Sequence, residues 1–415
     1  MLSTVSQQDL PLVPHPSDKK GTWVSIDQAQ QYYPSEAVTP IQQQWEALQK
    51  TYYQHPQQLN TLGSIASELH TSLQNLSPQV YPELETMARE VKFAEFGAFG
   101  KAWQLYAIAL GVMLLVTMIP SFQWYWGAIG IFVAGLGVQS YGFIERMQIA
   151  GRPPVTNMYE SVIWVALGIA AIGLLLELIY RPRYYLLAAA PLSVVCLLLA
   201  DNLPAVLDPT ISPLVPVLRD NFWLSVHVPT ITLGYASFFL AFGLGHLILG
   251  QYWFNTPKVE RINYLSQLNY RVLQVGVLLL TTGVILGGVW AHYAWGRFWG
   301  WDPKETWALI ALLSYLVPLH GRLAGWLKNF GMAVVSVICF NTVLMAWYGV
   351  NFILGTGLHS YGFSTGGSEL IIGSLVLLDL VFVLATYIRV SLRRRLQANV
   401  TTSFVNLDEE LKAVE

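Results

Sequence analysis

Long apolar runs separated by short polar intervals make up most of the chain after Trp103. A bilayer core about 30 Å thick is crossed by roughly 20 apolar residues in a helix. The runs do not alternate in polarity every second residue, as barrel strands do, so helices are the favoured spanning structure. The sequence therefore predicts an all-α polytopic membrane protein. About nine transmembrane helices are expected, near residues 103–119, 124–143, 159–180, 184–200, 224–250, 270–290, 305–320, 329–353 and 369–388.

The first 102 residues have a different pattern, rich in Gln, Ser, Pro and charged side chains. Helix-like stretches occur within it at 39–53 and 58–75. We therefore predict a polar, mostly helical extramembrane head at 1–102, a transmembrane domain at 103–390 and a tail at 391–415.

The amino-acid composition excludes several classes of protein function. Only 12% of the residues are charged and 54% are hydrophobic, and the charged share is about half that of a soluble domain. The net charge of −2 provides no basic field for nucleic acid, so no nucleic-acid partner is expected. Cys196 and Cys339 lie inside apolar runs and belong to no CxxC or CxxCH motif. Thiol oxidoreductases and c-type cytochromes are therefore excluded by signature.

Lysine and arginine residues near the helix ends predict the orientation, because loops retained in the cytoplasm carry an excess of positive charge. Eleven fall on the side of the C-terminal tail, which we place in the cytoplasm, and nine spans then put the head outside. Residues 1–30 contain no signal peptide, so either the first helix translocates its own N-terminus or the chain matches the later part of a longer membrane protein. The eleven are Arg181, Arg183, Lys258, Arg261, Arg271, Arg322, Lys328, Arg389, Arg393, Arg394 and Arg395, against Arg146, Arg152, Arg219, Arg297 and Lys304 on the other side.

A tryptophan-rich segment at 290–307 lies on the predicted outer face. It holds five of the fifteen tryptophans, and a single one would be explained as an interfacial anchor. Five indoles interleaved with glycine favour a stacking surface for a large flat ligand, with Arg297, Lys304 and Arg152 as candidate partners for its carboxylates. A porphyrin with two propionates fits this description. The five are Trp290, Trp295, Trp299, Trp301 and Trp307.

Three histidines are candidate ligands for a porphyrin iron, which takes axial imidazoles. His227 lies near the outer end of the fifth span and His359 in an outer loop, both on the side of the tryptophan segment. His320 ends the seventh span, about 20 Å of helical rise from Trp307, and belongs to the inner leaflet. Taken alone, each of them is also explained as a hydrogen-bonded packing residue.

Acidic residues near this face have a structural and a chemical interpretation. Asp302 before Pro303 is typical of a helix cap, with Glu305 at the positive end of the helix dipole. General acid or base catalysis by these two carboxylates is the alternative. Tyr159 and Glu160 follow a Pro-Pro pair, and a turn-and-cap role is favoured there too.

The run Trp301-Asp-Pro-Lys-Glu-Thr-Trp307 and the residues just before it resemble the WWD signature of haem-handling proteins in cytochrome c maturation. Other segments are similar, in the same order, to the CcsA/ResC branch of that family. The resemblance covers roughly residues 105–365. Its segments are 151–161, 214–227, 264–290, 302–308 and 348–362.

The resemblance implies a subunit of the system II holocytochrome c synthase, a haem lyase active only with a partner. Such proteins carry haem b across the bacterial inner membrane and join it to the CxxCH segment of apocytochrome c. By this resemblance His227 and His359 are the axial ligands of an outer haem and the tryptophan segment, with Asp302, forms its site. His320 is then one ligand of an intramembrane haem, and a CcsB/ResB-type subunit supplies the other. Within this chain only His246 is a candidate for that second ligand.

Two other function classes stay open. A system I type protein exports or presents haem without completing attachment and depends on a haem chaperone. A respiratory cytochrome b would carry paired histidines on facing helices within the bilayer. The sequence contains no Gly-rich phosphate loop, Ser/His/Asp arrangement or HExxH motif, so ATP-driven transport by this chain is not expected.

Overall fold

The computed structural model divides the chain into two compact units. The first is Met1–Lys92 with Thr210–Leu214, and the second is Phe93–Pro209 with Val215–Glu415. Residues 360–362, which end the last segment of the resemblance (348–362), lie outside the described residues. The residues described are 10–16, 23–119, 122–181, 183–204, 206–212, 214–254, 258–359 and 369–412.

The N-terminal unit is a small, mostly helical assembly with its own core. Val38 and Ile41 on one helix and Leu69 and Leu73 on the next are buried, and their spacing puts each pair on one helix face. The two predicted helical stretches are confirmed. The elements are β1 (Val13–Pro14) antiparallel to β2 (Trp23–Val24), α1 (Ile26–Ala29), α2 (Ser35–Gln54), α3 (Leu59–Leu76) and the beginning of α4 (Leu84–Phe96).

The second unit is a bundle of long apolar helices. In the described residues nine helical stretches are long and apolar enough to cross a membrane, which confirms the predicted all-α polytopic fold. A π-helical segment, Met345–Leu354, completes the eighth stretch. The helices are α5 (Ala98–Met118), α6 (Phe122–Ala150), α7 (Met158–Tyr180), α8 (Tyr185–Asn202), α9 (Asn221–Phe254), α10 (Val259–Trp295), α11 (Pro303–Leu323), α12 (Asn329–Ile338), α13 (Phe340–Leu344) and α14 (Glu369–Lys412).

Helix ends differ from the predicted span ends where polar residues continue a helix. The span predicted at 270–290 lies inside the longer α10, and the span at 369–388 inside α14, which continues to Lys412. Hydropathy marks where a helix becomes polar, whereas the helix itself ends only at a capping or turn residue. Gly296, with a left-handed φ of 70°, follows the last residue of α10 and is such a stop.

Helices α9 and α10 pack closely because each places a glycine against the backbone of the other. A Cβ added at Gly283 of α10 would lie 2.7 Å from the Cα of Ile231 on α9, and one at Gly234 would lie 3.0 Å from the backbone nitrogen of Leu280. Glycine at both positions lets the two backbones approach, as is common between membrane helices. This close contact brings the first turns of α9 against the last turns of α10.

Candidate functional site

One cavity gathers most of the predicted site residues. Its walls come from the segment entering α7, the first turns of α9, the last turns of α10, the first turn of α11 and the π-helical segment. We call it the tryptophan cavity. Its polar and aromatic lining includes His227, His359, Lys304, Glu305, Asn351, Trp290, Trp295, Trp299 and Trp347.

His227 is oriented by the backbone of the neighbouring helix. Its Nδ1 lies 2.9 Å from the carbonyl oxygen of Gly283. A carbonyl oxygen only accepts hydrogen bonds, so Nδ1 donates and the Nε2 atom carries the lone pair of the ring. The Trp290 indole packs edge-on against the imidazole, with ring centroids 5.6 Å apart. His227 is therefore held in the tautomer that binds a metal through Nε2.

The absence of a side chain at Gly287 makes room for this imidazole. A Cβ at that position would lie 2.6 Å from Cε1 of His227, so Gly287→Ala is expected to displace the ring from Gly283. Overpacking of this kind costs about 1–3 kcal/mol, and a lower midpoint of thermal unfolding in detergent measures it. Gly250→Ala is the matched control, because a Cβ at Gly250 meets nothing within 4 Å. Equal shifts in the two variants would contradict the role of the His227 contact.

His359 is oriented by a carboxylate instead of a carbonyl group. Its Nδ1 lies 2.8 Å from Oδ1 of Asp302, and the other Asp302 oxygen accepts the backbone N–H of Leu358 at 2.6 Å. The Trp295 ring lies edge-on to the imidazole, with centroids 5.0 Å apart. Asp302 thus fixes both the ring of His359 and the loop that carries it, and a ring that donates from Nδ1 carries its lone pair on Nε2.

Asp302 combines this role with the predicted cap of α11. Its Oδ1 accepts the Lys304 N–H at 3.1 Å, and Glu305 completes a capping box. Burial alone would raise the pKa of Asp302. Hydrogen bonds from His359 and from the N–H groups of Leu358 and Lys304 outweigh burial and hold the pKa of Asp302 below its ordinary value. The carboxylate is therefore ionised at neutral pH, and this anchor weakens only as the pH falls through the lowered pKa.

Glu305 holds the loop before α11 in place through hydrogen bonds to that loop. Its carboxylate accepts a hydrogen bond from the Arg297 guanidinium at 3.2 Å. It also accepts hydrogen bonds from the backbone N–H groups of Gly300 and Asp302 at 2.8 and 3.2 Å. A Cβ at Gly300 would collide with the Arg297 guanidinium. Arg297, a sequence-predicted carboxylate partner, is therefore paired with a carboxylate of its own chain and does not line the tryptophan cavity.

The five tryptophans divide into two groups. Trp290, Trp295 and Trp299 line the tryptophan cavity and are half-buried. Trp301 is 69% exposed and adopts a left-handed φ of 59°, a conformation uncommon outside glycine. Its ring meets Trp299 edge-on at 5.9 Å between centroids, so the aromatic surface continues from the cavity to the outside. Trp307 is half-buried and lies outside the lining.

The lining also includes residues that sequence reasoning missed. Trp347 and Asn351 lie in the π-helical segment, where Asn351 donates to the Trp347 carbonyl at 3.0 Å. The Trp347 indole donates to the hydroxyl of Ser161 at 2.9 Å. Asn351 lies in segment 348–362 of the resemblance, which assigned it no role, and Trp347 is marked in the sequence only as part of a long apolar span, which is typical of packing. Arg152, by contrast, does not line the tryptophan cavity and donates to Thr156 at 3.4 Å.

The two histidines predicted for the inner leaflet lie apart from the tryptophan cavity. His320 is exposed on α11, and its Nδ1 lies 2.8 Å from the carbonyl oxygen of Leu316 in the preceding turn. His246 on α9 has its Nδ1 at 3.0 Å from the Phe242 carbonyl and its Nε2 at 2.7 Å from Oδ1 of Asp379 on α14. Both ring nitrogens of His246 are therefore engaged within the chain.

The residues that line the tryptophan cavity all lie within the part of the chain that matches a known protein family. The family model described as cytochrome C assembly protein matches residues 155–359. The lining of the tryptophan cavity runs from Val155 to His359, so all of it lies within the matched region.

Individual relatives agree with that match. The cytochrome c biogenesis protein CcsA of Prochlorococcus marinus subsp. pastoris is 35% identical over 256 residues, covering 54% of this chain and 79% of that protein. Protein NrfI of Wolinella succinogenes is 29% identical over 368 residues. This match covers 84% of the present chain but only 39% of the length of NrfI. Among solved structures, the cytochrome c haem lyase CcmF has a TM-score of 0.49 and 15% identity, over 70% of this chain and 50% of that one.

Proposed function

The chain belongs to the CcsA family of cytochrome c biogenesis proteins. From this premise we propose that the tryptophan cavity holds haem b and presents it to apocytochrome c. The substrate is then the iron porphyrin, with His227 and His359 as axial ligands. One observation carries the proposal: two imidazoles in the same cavity each have the Nδ1 proton fixed by an acceptor, so both direct Nε2 as the donor to a metal.

The rest of the lining suits a flat aromatic ligand. Three half-buried indoles, Trp290, Trp295 and Trp299, give apolar ring surface, and two of them already pack against the ligating imidazoles. Haem would gain by burying its faces there, since aromatic rings prefer offset or edge-on contact with one another. The exposed ring of Trp301 extends this surface toward the incoming polypeptide.

The proposed reaction adds two cysteine thiols of a CxxCH segment across the two haem vinyl groups. In each addition sulfur bonds to the vinyl carbon next to the ring and the thiol proton goes to the terminal carbon. The addition is redox-neutral, because the sulfur and the proton of one thiol both add across the same carbon–carbon double bond. Haem and thiols both enter reduced. No side chain has to supply an electron pair of its own, so the contribution of the chain is to hold the haem in one orientation, an effect that can lower a barrier substantially.

A second haem position, on the route across the membrane, involves His320. This side chain is exposed on α11 in line with three apolar residues, Ile310, Leu313 and Val317, that are 38%, 52% and 66% exposed. An ionisable group that faces lipid is costly. We infer that a helix of a CcsB/ResB-type partner covers this face and brings the second ligand. His246 is unsuited to that role because Asp379 engages its Nε2.

The orientation we propose is that of an inner-membrane protein of a bacterium, with the tryptophan cavity on the extracytoplasmic face. The positive-inside distribution supports this orientation. Arg389 and Arg393, near the predicted cytoplasmic end of α14, contact Trp253 and the Tyr252 carbonyl at the end of α9 away from His227. Apocytochrome c would then reach the tryptophan cavity from outside.

The decisive experiment measures haem bound to the purified full-length chain, expressed alone and with a CcsB/ResB-type partner. His227→Ala and His359→Ala are each expected to lower the haem content at least about tenfold, since even residues that only support a metal ligand are worth that much. His320→Ala is expected to remove only the haem that depends on the partner. Pyridine haemochrome and the visible absorption bands provide the readout.

A neighbouring histidine provides the matched control. His292 is exposed at the end of α10, close to the tryptophans in sequence, and does not line the tryptophan cavity. His292→Ala is expected to keep the haem content of the unaltered chain. Haem that is indifferent to His227, His359 and His320 would overturn the proposal, as would a chain that binds none in either setting.

A further inference from the structure

Among the described residues of its lining, the tryptophan cavity contains one lysine or arginine, Lys304. Its Nζ donates to Oδ1 of Asn351 at 3.2 Å. Within the described part of the chain no carboxylate lies within ion-pair distance of this ammonium group. The group thus has a neutral partner and faces a cavity lined mainly by aromatic and apolar side chains.

The carboxylates adjacent in sequence are committed elsewhere. Asp302 binds the imidazole of His359 and the N–H of Leu358, and Glu305 binds Arg297 and two loop N–H groups. Each therefore stabilises the loop, and neither forms an ion pair with the Lys304 ammonium group among the described contacts. The placement of Lys304 is also unfavourable for the helix, because a cation in the first turn of α11 lies at the positive end of its dipole. Neither helix capping nor an internal ion pair explains the residue.

We propose that Lys304 is the carboxylate-binding residue of the tryptophan cavity and receives a propionate of the haem. The inference rests on the proposed function and deepens it, because it fixes which edge of the porphyrin faces α11. Propionates and vinyl groups lie on opposite edges of haem b. A propionate held at Lys304 and Asn351 turns the vinyl edge away from α11, and so selects one orientation for thiol addition.

Haem b and its dimethyl ester test this assignment, since they differ only in the carboxylates. Both are titrated into the purified full-length chain and into Lys304→Met, which shortens the unbranched side chain by one atom and removes its charge. Lys304→Met is expected to weaken haem b binding by about tenfold or more, as for the loss of a hydrogen bond to a charged group. Its affinity for the dimethyl ester is expected to equal that of the unaltered chain.

Two further variants sharpen the test. Asn351→Asp has nearly the same size and places a negative charge beside Lys304, so it is expected to weaken binding of haem b and not of the ester. Lys304→Arg restores the charge and is expected to recover most of the affinity. Lys328→Met removes a lysine at the start of α12, outside the tryptophan cavity, and is expected to change neither affinity.

The outcomes separate the inference from the function on which it rests. Equal haem b affinity in the unaltered chain and Lys304→Met, with binding still dependent on His227, overturns the carboxylate assignment alone. A Lys304→Met chain that loses both haem b and the ester identifies a structural role and also overturns it. An unaltered chain that binds neither porphyrin overturns the proposed function and the inference with it.

Discussion

Asp302→Asn is expected to lower haem retention in the tryptophan cavity by about 10–100-fold, the usual cost of losing a residue that orients a metal ligand. Asparagine caps helices as well as aspartate does, so α11 still begins at Pro303 when the amide oxygen faces the Lys304 N–H. The amide, however, has one acceptor oxygen where the carboxylate had two. It must turn its NH₂ group toward either the Leu358 N–H or Nδ1 of His359.

Both orientations of the amide disturb His359. An NH₂ group facing Leu358 opposes two donors and displaces the loop. An NH₂ group facing Nδ1 moves the ring proton to Nε2, where it blocks the lone pair needed by the iron. We therefore expect the residual haem of Asp302→Asn to show the high-spin spectrum of iron with one protein imidazole in place of a low-spin, six-coordinate spectrum.

Asp220→Asn controls for the change of charge and for capping. Asp220 precedes α9 and accepts the N–H groups of Phe222 and Trp223 at 3.0 and 3.2 Å, with no histidine partner among its described contacts. Its variant is expected to keep haem content and spectrum. An Asp302→Asn chain with an unchanged spectrum would mean that the carboxylate does not set the tautomer of His359.

Much of the helical body could be predicted because hydropathy reports directly on lipid contact. The nine spans and the two helices of the N-terminal unit follow from runs and spacing alone. The ends of α10 and α14 could not be predicted in this way, because their polar last turns remain helical beyond the apolar run. A helix end depends on local capping, and hydropathy carries no information about it.

Site residues of rare types could be predicted from the sequence. Residues whose role depends on the side chain they contact could not. Clustered tryptophans and histidines identified His227, His359 and three of the tryptophans that line the cavity. Sequence could not assign Arg297 and Lys304 to their roles, because both are cations near the same turn. Only the contact of Arg297 with Glu305 shows which cation faces the cavity. Likewise the contact between Asp302 and His359 depends on a loop 57 residues further along the chain.

Glu160→Gln is expected to lower the free energy of unfolding by about 3–5 kcal/mol, the cost of breaking a buried ion pair from one side. Glu160 and Arg146 join α7 to α6 at 2.9 Å, with side chains 0% and 3% exposed. The other carboxylate oxygen accepts the N–H and hydroxyl of Thr156 at 2.8 and 2.6 Å. Reversible unfolding in mixed micelles measures the loss, and Glu95→Gln on an exposed face of α4 is expected to stay within about 0.5 kcal/mol.

Replacing both partners separates the stability of the bundle from the shape of the cavity wall. Arg146→Met with Glu160→Met removes the two charges together, and apolar replacement of a buried pair is often close to neutral. Thr156 still loses both bonds to Glu160, and Thr156, Asn157 and Met158 all line the tryptophan cavity. We therefore expect the double variant to regain most of the stability that Glu160→Gln loses and yet to bind haem more weakly than the unaltered chain. Full haem affinity in the double variant would show that the ion pair supports the bundle alone, whereas a loss of both properties would show that the segment before α7 and the helices unfold as one unit.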